Sequence, residues 1–435
     1  MTESAPARVL RLVVTTREID PIEDLLSYAE PAHPLAWLRR GEGMVGFGSA
    51  AIIEVGGHRA NPPEGSQAAA LADTWRAVAA AASVSDQVGL PGTGLIAFGA
   101  LSFDPSSATA STLIVPQFIF GRRAGRSWIT TIHRAGAEAP ITPSAREWGP
   151  AWSATVGPGE LDAPGYQAAV RNGLEAIAAG EVSKVVLARD LIGSVPAGAD
   201  LRRLVRALAT GYPDVWTYAV DGIIGASPET LVTVSGGTIT ARVLAGTAPR
   251  GADADGDTEA SVALSASGKD QDEHRFAVES VLRTLRPHTS ALTASEQPFA
   301  LKLPNVWHLA TDVEGIVADG VSALDLVGVL HPTAAVAGTP TASALEVIRR
   351  IEPFDRGRYA GPVGWIDASG DGEWAIALRS AQFGGAATSD GHSWQLNDTR
   401  PVTAHAGAGI VLGSDPEAEL LETRMKFRPI VDALA

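Results

Sequence analysis

Apolar side chains recur at helical spacing in Tyr166, Val170, Leu174 and Ile177, and Gly180 follows where such a helix would end. The next stretch, 182–191, reads as a β-run and predicts a strand on which Lys184 shares a face with Val182, Val186 and Ala188. A second stripe, Val278, Val281, Leu282 and Leu285, predicts a helix whose first turn contains Asp270, Glu273 and His274. A third helix is expected after Ser414-x-x-Glu417, the spacing of a capping box, with Asp415 and Pro416 suited to its first turn. Upstream, β-like runs at 9–15, 46–53, 95–100 and 112–120 accompany an alanine-rich helical stretch near 66–83. Pro140, Pro143, Pro150, Pro158 and Pro164 mark 134–163 as a connection, and the Gly- and Asp-rich stretch 249–257 reads as a mobile loop. Strand and helix runs alternate without a solenoid-length repeat, which suggests one large layered α/β domain.

Composition narrows the chemistry. Of 435 residues, 45% are apolar and 19% charged, an ordinary globular balance with material for a large core. A net charge of -15 argues against a nucleic-acid or anionic-membrane partner, since both require a basic footprint. It also means that an anionic substrate must be captured by local cations against the overall field. The absence of cysteine excludes disulfides, thiol nucleophiles and thiolate metal ligands. The N-terminal residues lack the basic start and apolar core of a signal peptide, and no apolar run approaches the ~20 residues that span a bilayer. The expectation is a soluble cytoplasmic protein.

Several polar residues could carry chemistry. Glu419, Glu422 and Lys426 are spaced i, i+3 and i+7 and so project from one helix face, and Asp270 and Glu273 share the i, i+3 relation. Two such carboxylate pairs facing each other would suit Mg²⁺; by spacing alone they are more often solvated helix faces. Lys184 is either a strand-end lysine whose ammonium reaches water or a buried base with a lowered pKa. Glu229, in Gly225-Ala226-Ser227-Pro228-Glu229, sits on a tight turn where a carboxyl could act as a general acid or merely be solvated. His308 lies among apolar residues, the usual setting of a core histidine. Arg379 shares a strand face with Ala375, Ala377 and Ala381, which leaves room for a bound carboxylate or for a structural salt bridge. Gly407-Ala408-Gly409 is no dinucleotide fingerprint, but it permits close backbone approach to an anion just before the Lys426 helix.

The order and wording of these motifs are more specific than any one of them. The run 181–189 around Lys184 resembles the lysine strand of the chorismate-utilising enzymes of menaquinone, siderophore and tryptophan biosynthesis. The resemblance continues through 225–229, 244–247, Lys269-Asp270-x-x-Glu273-His274, 307–311, 356–364, Arg379 and 407–426, and covers roughly 160–435. It implies one α/β (α+β) domain with two sheet-containing lobes and outer helices, in which 1–155 is a variable part of the same fold and 156–435 the chorismate-binding region. Members that aminate chorismate have glutamine in place of Lys184, and one branch has a nucleophilic lysine in place of Ala245. Lys184 with Ala245 is therefore similar to the water-using branch of isochorismate and salicylate synthases, and Ala335, with Val336 a mild departure, is similar to the isochorismate-forming members.

That resemblance assigns roles. Lys184 would deprotonate the attacking water and Glu229 would protonate the departing C4 hydroxyl. Glu273 and Glu422 would bind Mg²⁺ directly, with Asp270 and Glu419 acting through water. Gly407, Ala408, Gly409 and Lys426 would help bind the ring carboxylate, Tyr359 and Arg379 the enolpyruvyl carboxylate, and Thr247, His308 and Ala335 would line the substrate. No amidotransferase subunit is expected, and the resemblance favours a monomer. The competing expectations are a salicylate synthase and a non-catalytic metabolite-binding protein.

Overall fold

Strands that alternate buried and half-buried positions need a second layer to cover them, and here each of two sheets covers the other. The computed structural model describes residues 10–57, 66–302, 306–384 and 399–435, apart from the side chains of Thr247, Lys269, Glu273 and Val306. Among these residues one sheet has thirteen strands and the other ten. Every pairing is antiparallel except that of Leu12–Ile19 with Ser83–Asp86, so the α/β alternation in sequence builds an α+β fold with outer helices.

The N-terminal part is woven into both sheets. Leu35–Arg39 pairs with Trp216–Val220 in the larger sheet, and Ile96–Ala100 pairs with Pro362–Asp367 in the smaller. The runs read as single strands at 46–53 and 112–120 are each two. Glu42–Phe47 belongs to the larger sheet and Ala51–Gly56 to the smaller, because the chain turns at Gly48, where φ is +65°. Pro116, which has no N–H to donate, separates Ala110–Val115 from Phe118–Arg123.

The helix stripes are realised with small shifts. Ala163–Ala178 is capped by Asp162, which accepts from the Gly165 N–H at 2.8 Å, and the chain leaves it through Gly180 at φ +76°. The last helix, Pro416–Leu434, is capped by Asp415, one residue later than the capping-box spacing suggests. Ser414 instead accepts the Val411 N–H and closes the turn before the helix. The stretch 249–257 is not a free loop either. Thr238–Pro249 is a strand, Ala254–Ala266 a helix, and Asp257 clasps Arg250, the Trp307 indole (2.8 Å) and Lys302 (3.2 Å). With the Gly251 N–H at 3.3 Å, four residues donate to one carboxylate, which outweighs the disorder that glycine and aspartate would favour. No described helix is long and apolar enough to cross a membrane.

One carboxylate bridges the sheets. Glu373, in the smaller sheet, is 8% exposed and accepts from Trp37 Nε1 (2.8 Å), Trp365 Nε1 (3.1 Å) and Arg123 (2.9 Å). Trp37 and Arg123 belong to the larger sheet, and Trp37 also stacks on Trp216 at 4.9 Å. Replacing Glu373 by alanine would strand two buried indole N–H groups and a guanidinium. The expected cost is about 2–4 kcal/mol, measurable by denaturant unfolding. A loss below ~1 kcal/mol would show that water can replace this clasp.

Candidate active site

A polypeptide passing from one sheet to the other must interrupt its hydrogen-bond ladder, and two interruptions lie side by side. Ile223–Ser227, in the larger sheet, continues through Pro228-Glu229 into Thr230–Ser235 in the smaller. Gly372–Ile376 returns through Ala377, Leu378 and Arg379 to Ser380–Phe383. The crossings hold each other: Ile376 N–H donates to Glu229 C=O (3.0 Å), and Ala226 N–H donates to Arg379 C=O (3.2 Å). Arg379 is therefore not on a strand face with Ala375, Ala377 and Ala381. It occupies the crossing itself, with φ +51°, a left-handed conformation that costs a non-glycine residue of order 1 kcal/mol or more.

Lys184 opens the strand Lys184–Pro196, whose neighbour is Thr399–Val411. Its side chain crosses Gly409, where a Cβ would lie 3.0 Å from Lys184 Cε and 3.7 Å from Nζ. The missing side chain is what lets the ammonium lie flat along the strand. Gly407, two residues earlier, presents its backbone away from the lysine strand: its C=O accepts from Lys426 Nζ (2.8 Å), and its N–H bonds the Tyr359 phenol. Alternation puts Gly409's backbone groups on the same edge. Ala408 faces the other way, its side chain fully buried opposite Leu187, because strand neighbours alternate faces. The Gly407 N–H expected to meet a substrate is thus taken by Tyr359, and Ala408 offers the site no side chain.

The opposite edge of the lysine strand is closed by residues to which the sequence pattern assigns no individual role. Val186 N–H donates to Ala337 C=O (2.8 Å), but the next positions have no neighbouring strand among the described residues. Glu352 and Arg356 fill that gap as a buried pair at 2.5 Å: Glu352 accepts the Ala188 N–H (2.7 Å), and Arg356 donates to the C=O groups of Val186 (2.7 Å) and Val336 (3.0 Å). Their i, i+4 spacing was the available signal. Tyr166 is a second case, since its hydroxyl donates to Leu187 C=O (3.1 Å) and its phenol is pushed well up by burial and then by Glu419 and Glu422.

Glu229 is the electrostatic centre. Burial pushes its carboxyl up to about 7, against the pull of Lys184, Lys426 and Arg379, all within electrostatic reach. His308 lies opposite the irregularity between Ala245 and Thr247, where Gly246 adopts φ +77° and hydrogen-bonds the imidazole. Burial, with Lys426 adding to it, lowers His308 to about 4, so it is neutral at physiological pH. Burial raises Tyr359 to about 12, and its ring stacks on His405 at 5.1 Å. His274 is a clasp: Nδ1 meets Ala245 C=O at 3.1 Å and Nε2 meets the Thr311 hydroxyl at 2.7 Å.

The expected metal ligands are distributed unevenly. Glu422 pairs with Lys426 at 2.6 Å, and Glu419 is raised by burial, with Glu422's charge adding to the effect and the Ser414 hydroxyl opposing it. Asp270 packs beside Gly246 and accepts from the Ser267 hydroxyl. Oxygen-only donors of this kind suit a hard cation, and the Glu419–Glu422 repulsion is what such a cation would relieve. No group of three or more Asp, Glu or His residues arranged to hold a metal occurs among the described residues. The side chains of Glu273 and Thr247 lie outside them. Ala335 is exposed in the turn after the helix Ala323–Leu330, whereas the side chain of Val336 is buried.

Comparison with known proteins places the chain in a family. The sequence model described as "Chorismate binding enzyme" matches residues 2–435. The chain belongs to the chorismate-binding enzyme family. It is 39% identical over 281 residues to isochorismate synthase DhbC of Bacillus subtilis, covering 62% of this chain and 67% of that protein. It is 36% identical over 358 residues to a candidate isochorismate synthase, MenF, of Mycobacterium tuberculosis, covering 79% and 87%. The fold is shared with MenF, the menaquinone-specific isochorismate synthase of Escherichia coli, at a TM-score of 0.76 and 24% identity over 98% of this chain and 95% of that one.

The raised Glu229 carboxyl fixes a pH signature. A carboxyl moved from 4.5 to about 7 binds more protons folded than unfolded, so its contribution to stability is complete below pH 4.5 and is lost as pH rises through about 7. The glutamine variant lacks this loss. The melting temperature of Glu229→Gln relative to the parent is therefore expected to rise between about pH 5 and pH 8. Parallel melting curves across that range would mean that Glu229 titrates as an ordinary carboxylate.

Proposed function

We propose that this chain is an isochorismate synthase. The observation that carries the reading is the Glu229 crossing: an acid held near neutrality by burial, with Lys184, Lys426 and Arg379 around it, in a chain 39% identical to an isochorismate synthase. An acid with a pKa near the working pH is half-protonated there and can both hold and give its proton. With its amine unprotonated, Lys184, stretched along Gly409, takes a proton from water as the water oxygen bonds to C2 of chorismate, and that proton returns through solvent to Glu229 after turnover. The ring double bond shifts, the C4–O bond breaks, and Glu229 gives its proton to the departing hydroxyl. One water enters and one leaves, so the net change is an isomerisation.

The remaining residues bind and exclude. Arg379 and Tyr359 take the enolpyruvyl carboxylate, the phenol staying protonated and able to donate. Neutral His308 lines the ring without adding charge. Lys426, already shared between Glu422 and Gly407 C=O, would take the ring carboxylate. By the resemblance, Glu273 and Glu422 would hold Mg²⁺ directly, with Asp270 and Glu419 acting through water. The chemistry such an ion supplies is neutralisation and orientation of the ring carboxylate. Because water and not ammonia is added, the enzyme needs no amidotransferase, and we take it to act as a cytoplasmic monomer.

Incubation of the purified protein with chorismate and Mg²⁺, resolved by chromatography with pyruvate assayed in parallel, tests the reading. Isochorismate without stoichiometric pyruvate is the expected product. Salicylate with matching pyruvate would place the chain among the salicylate synthases, and unconsumed chorismate would leave a binding protein. Lys184→Ala and Glu229→Gln are each expected to lower kcat by about 10²–10⁴-fold. For the metal, Mg²⁺ with chorismate should slow amide exchange across 414–430 and chelator should reverse it. Exchange indifferent to Mg²⁺ would remove the cation from this reading.

A further inference from the structure

Arg379 is held in a strained conformation by something, and its own strand ladder has stopped. The hydroxyl of Tyr218 lies where the support is needed. Tyr218 is fully buried in Trp216–Val220, and its hydroxyl donates to Leu378 C=O at 3.0 Å, one residue before Arg379. The Ser380 hydroxyl, one residue after Arg379, hydrogen-bonds the same phenol. The phenol thus grips the chain on both sides of the left-handed residue.

Reaching that point requires the ring to pass over an intervening strand. Tyr218 pairs with Gly225, and Gly225 with Ser380, so the three residues form one row across three strands. A Cβ at Gly225 would sit 2.4 Å from the Tyr218 hydroxyl oxygen and 2.7 Å from Ser380 Cβ. The first glycine of Gly225-Ala226-Ser227-Pro228-Glu229 therefore clears a path for the phenol, and Ala226 of the same motif holds the Arg379 carbonyl.

We propose that Tyr218 is a positioning residue that fixes Arg379 for the carboxylate of the substrate, with Gly225 as the opening that admits it. The inference rests on the chorismate reading of the site. Tyr218 touches no reacting atom in this scheme, so its contribution falls on carboxylate capture and not on the proton transfers at Lys184 and Glu229.

The test is steady-state kinetics with chorismate on Tyr218→Phe, Arg379→Ala and the double variant. Removing the hydroxyl leaves the Leu378 carbonyl unsatisfied and the turn loose, and KM is expected to rise about tenfold with kcat within about threefold of the parent. In the Arg379→Ala background, Tyr218→Phe should leave KM unchanged, because the group it acts through is gone. Full multiplication of the two effects would overturn the proposal, as would a lowered melting temperature with an unchanged KM. If Tyr218→Phe does not fold, Ser380→Ala removes the other partner of the phenol and is expected to raise KM in the same direction. If the parent does not turn over chorismate, the functional reading fails by itself. Calorimetric titration of chorismate into the same variants then decides the positioning role: unchanged affinity in both single variants overturns it.

Discussion

A β-strand cannot keep its hydrogen-bond ladder while leaving one sheet for another, and the site depends on that constraint. The two crossings at Glu229 and Arg379 are antiparallel neighbours, and they form a ribbon that belongs to both sheets. Backbone groups freed by the break are bound across the ribbon, Ile376 to Glu229 and Ala226 to Arg379. The side chains at the break are released from strand alternation and can be aimed at a point between the sheets. An acid and a guanidinium are thereby fixed relative to each other by main-chain bonds, which hold more firmly than long flexible side chains could.

Burial, more than pairwise charge, sets the protonation states there. Three cations act on Glu229, yet its carboxyl still rises, and His308 falls through burial with only secondary help from Lys426 and Arg379. Burial is the largest cause at both groups, and it outweighs the nearby charges. The overall charge of -15 makes this local arrangement necessary: Lys184, Lys426 and Arg379 supply the positive field that the rest of the molecule does not. Glu422 tempers that field through its pair with Lys426.

Local patterns in the sequence were readable where one period governed a whole element. The helix Ala163–Ala178 with its glycine exit and the strand starting at Lys184 follow from 3.6- and two-residue spacing alone. Lys184 and Glu229 stood out in the sequence, although their nearness did not, since it arises from long-range pairing. Arg379 was misplaced because small residues on both sides of a crossing look like one continuous strand face. The 249–257 stretch was misread because composition cannot show that Asp257 finds four donors. Tyr218 carried no visible signal of its role, since a tyrosine in an apolar strand has many ordinary uses, and for Glu352 the i, i+4 relation to Arg356 was the one available hint.

The weaving of the N-terminal part into both sheets also affects how the molecule is made. Ile96–Ala100 is buried throughout, and its partner Pro362–Asp367 lies near the end of the chain. At about 5–20 residues per second, a ribosome delivers that partner tens of seconds after the first strand has emerged. During that interval an apolar strand with an unsatisfied edge stands exposed, the kind of surface that chaperones shield. Completion of the smaller sheet is therefore a late event in synthesis, and the nascent chain passes through a sticky half-sheet before either crossing, and hence the site, can form.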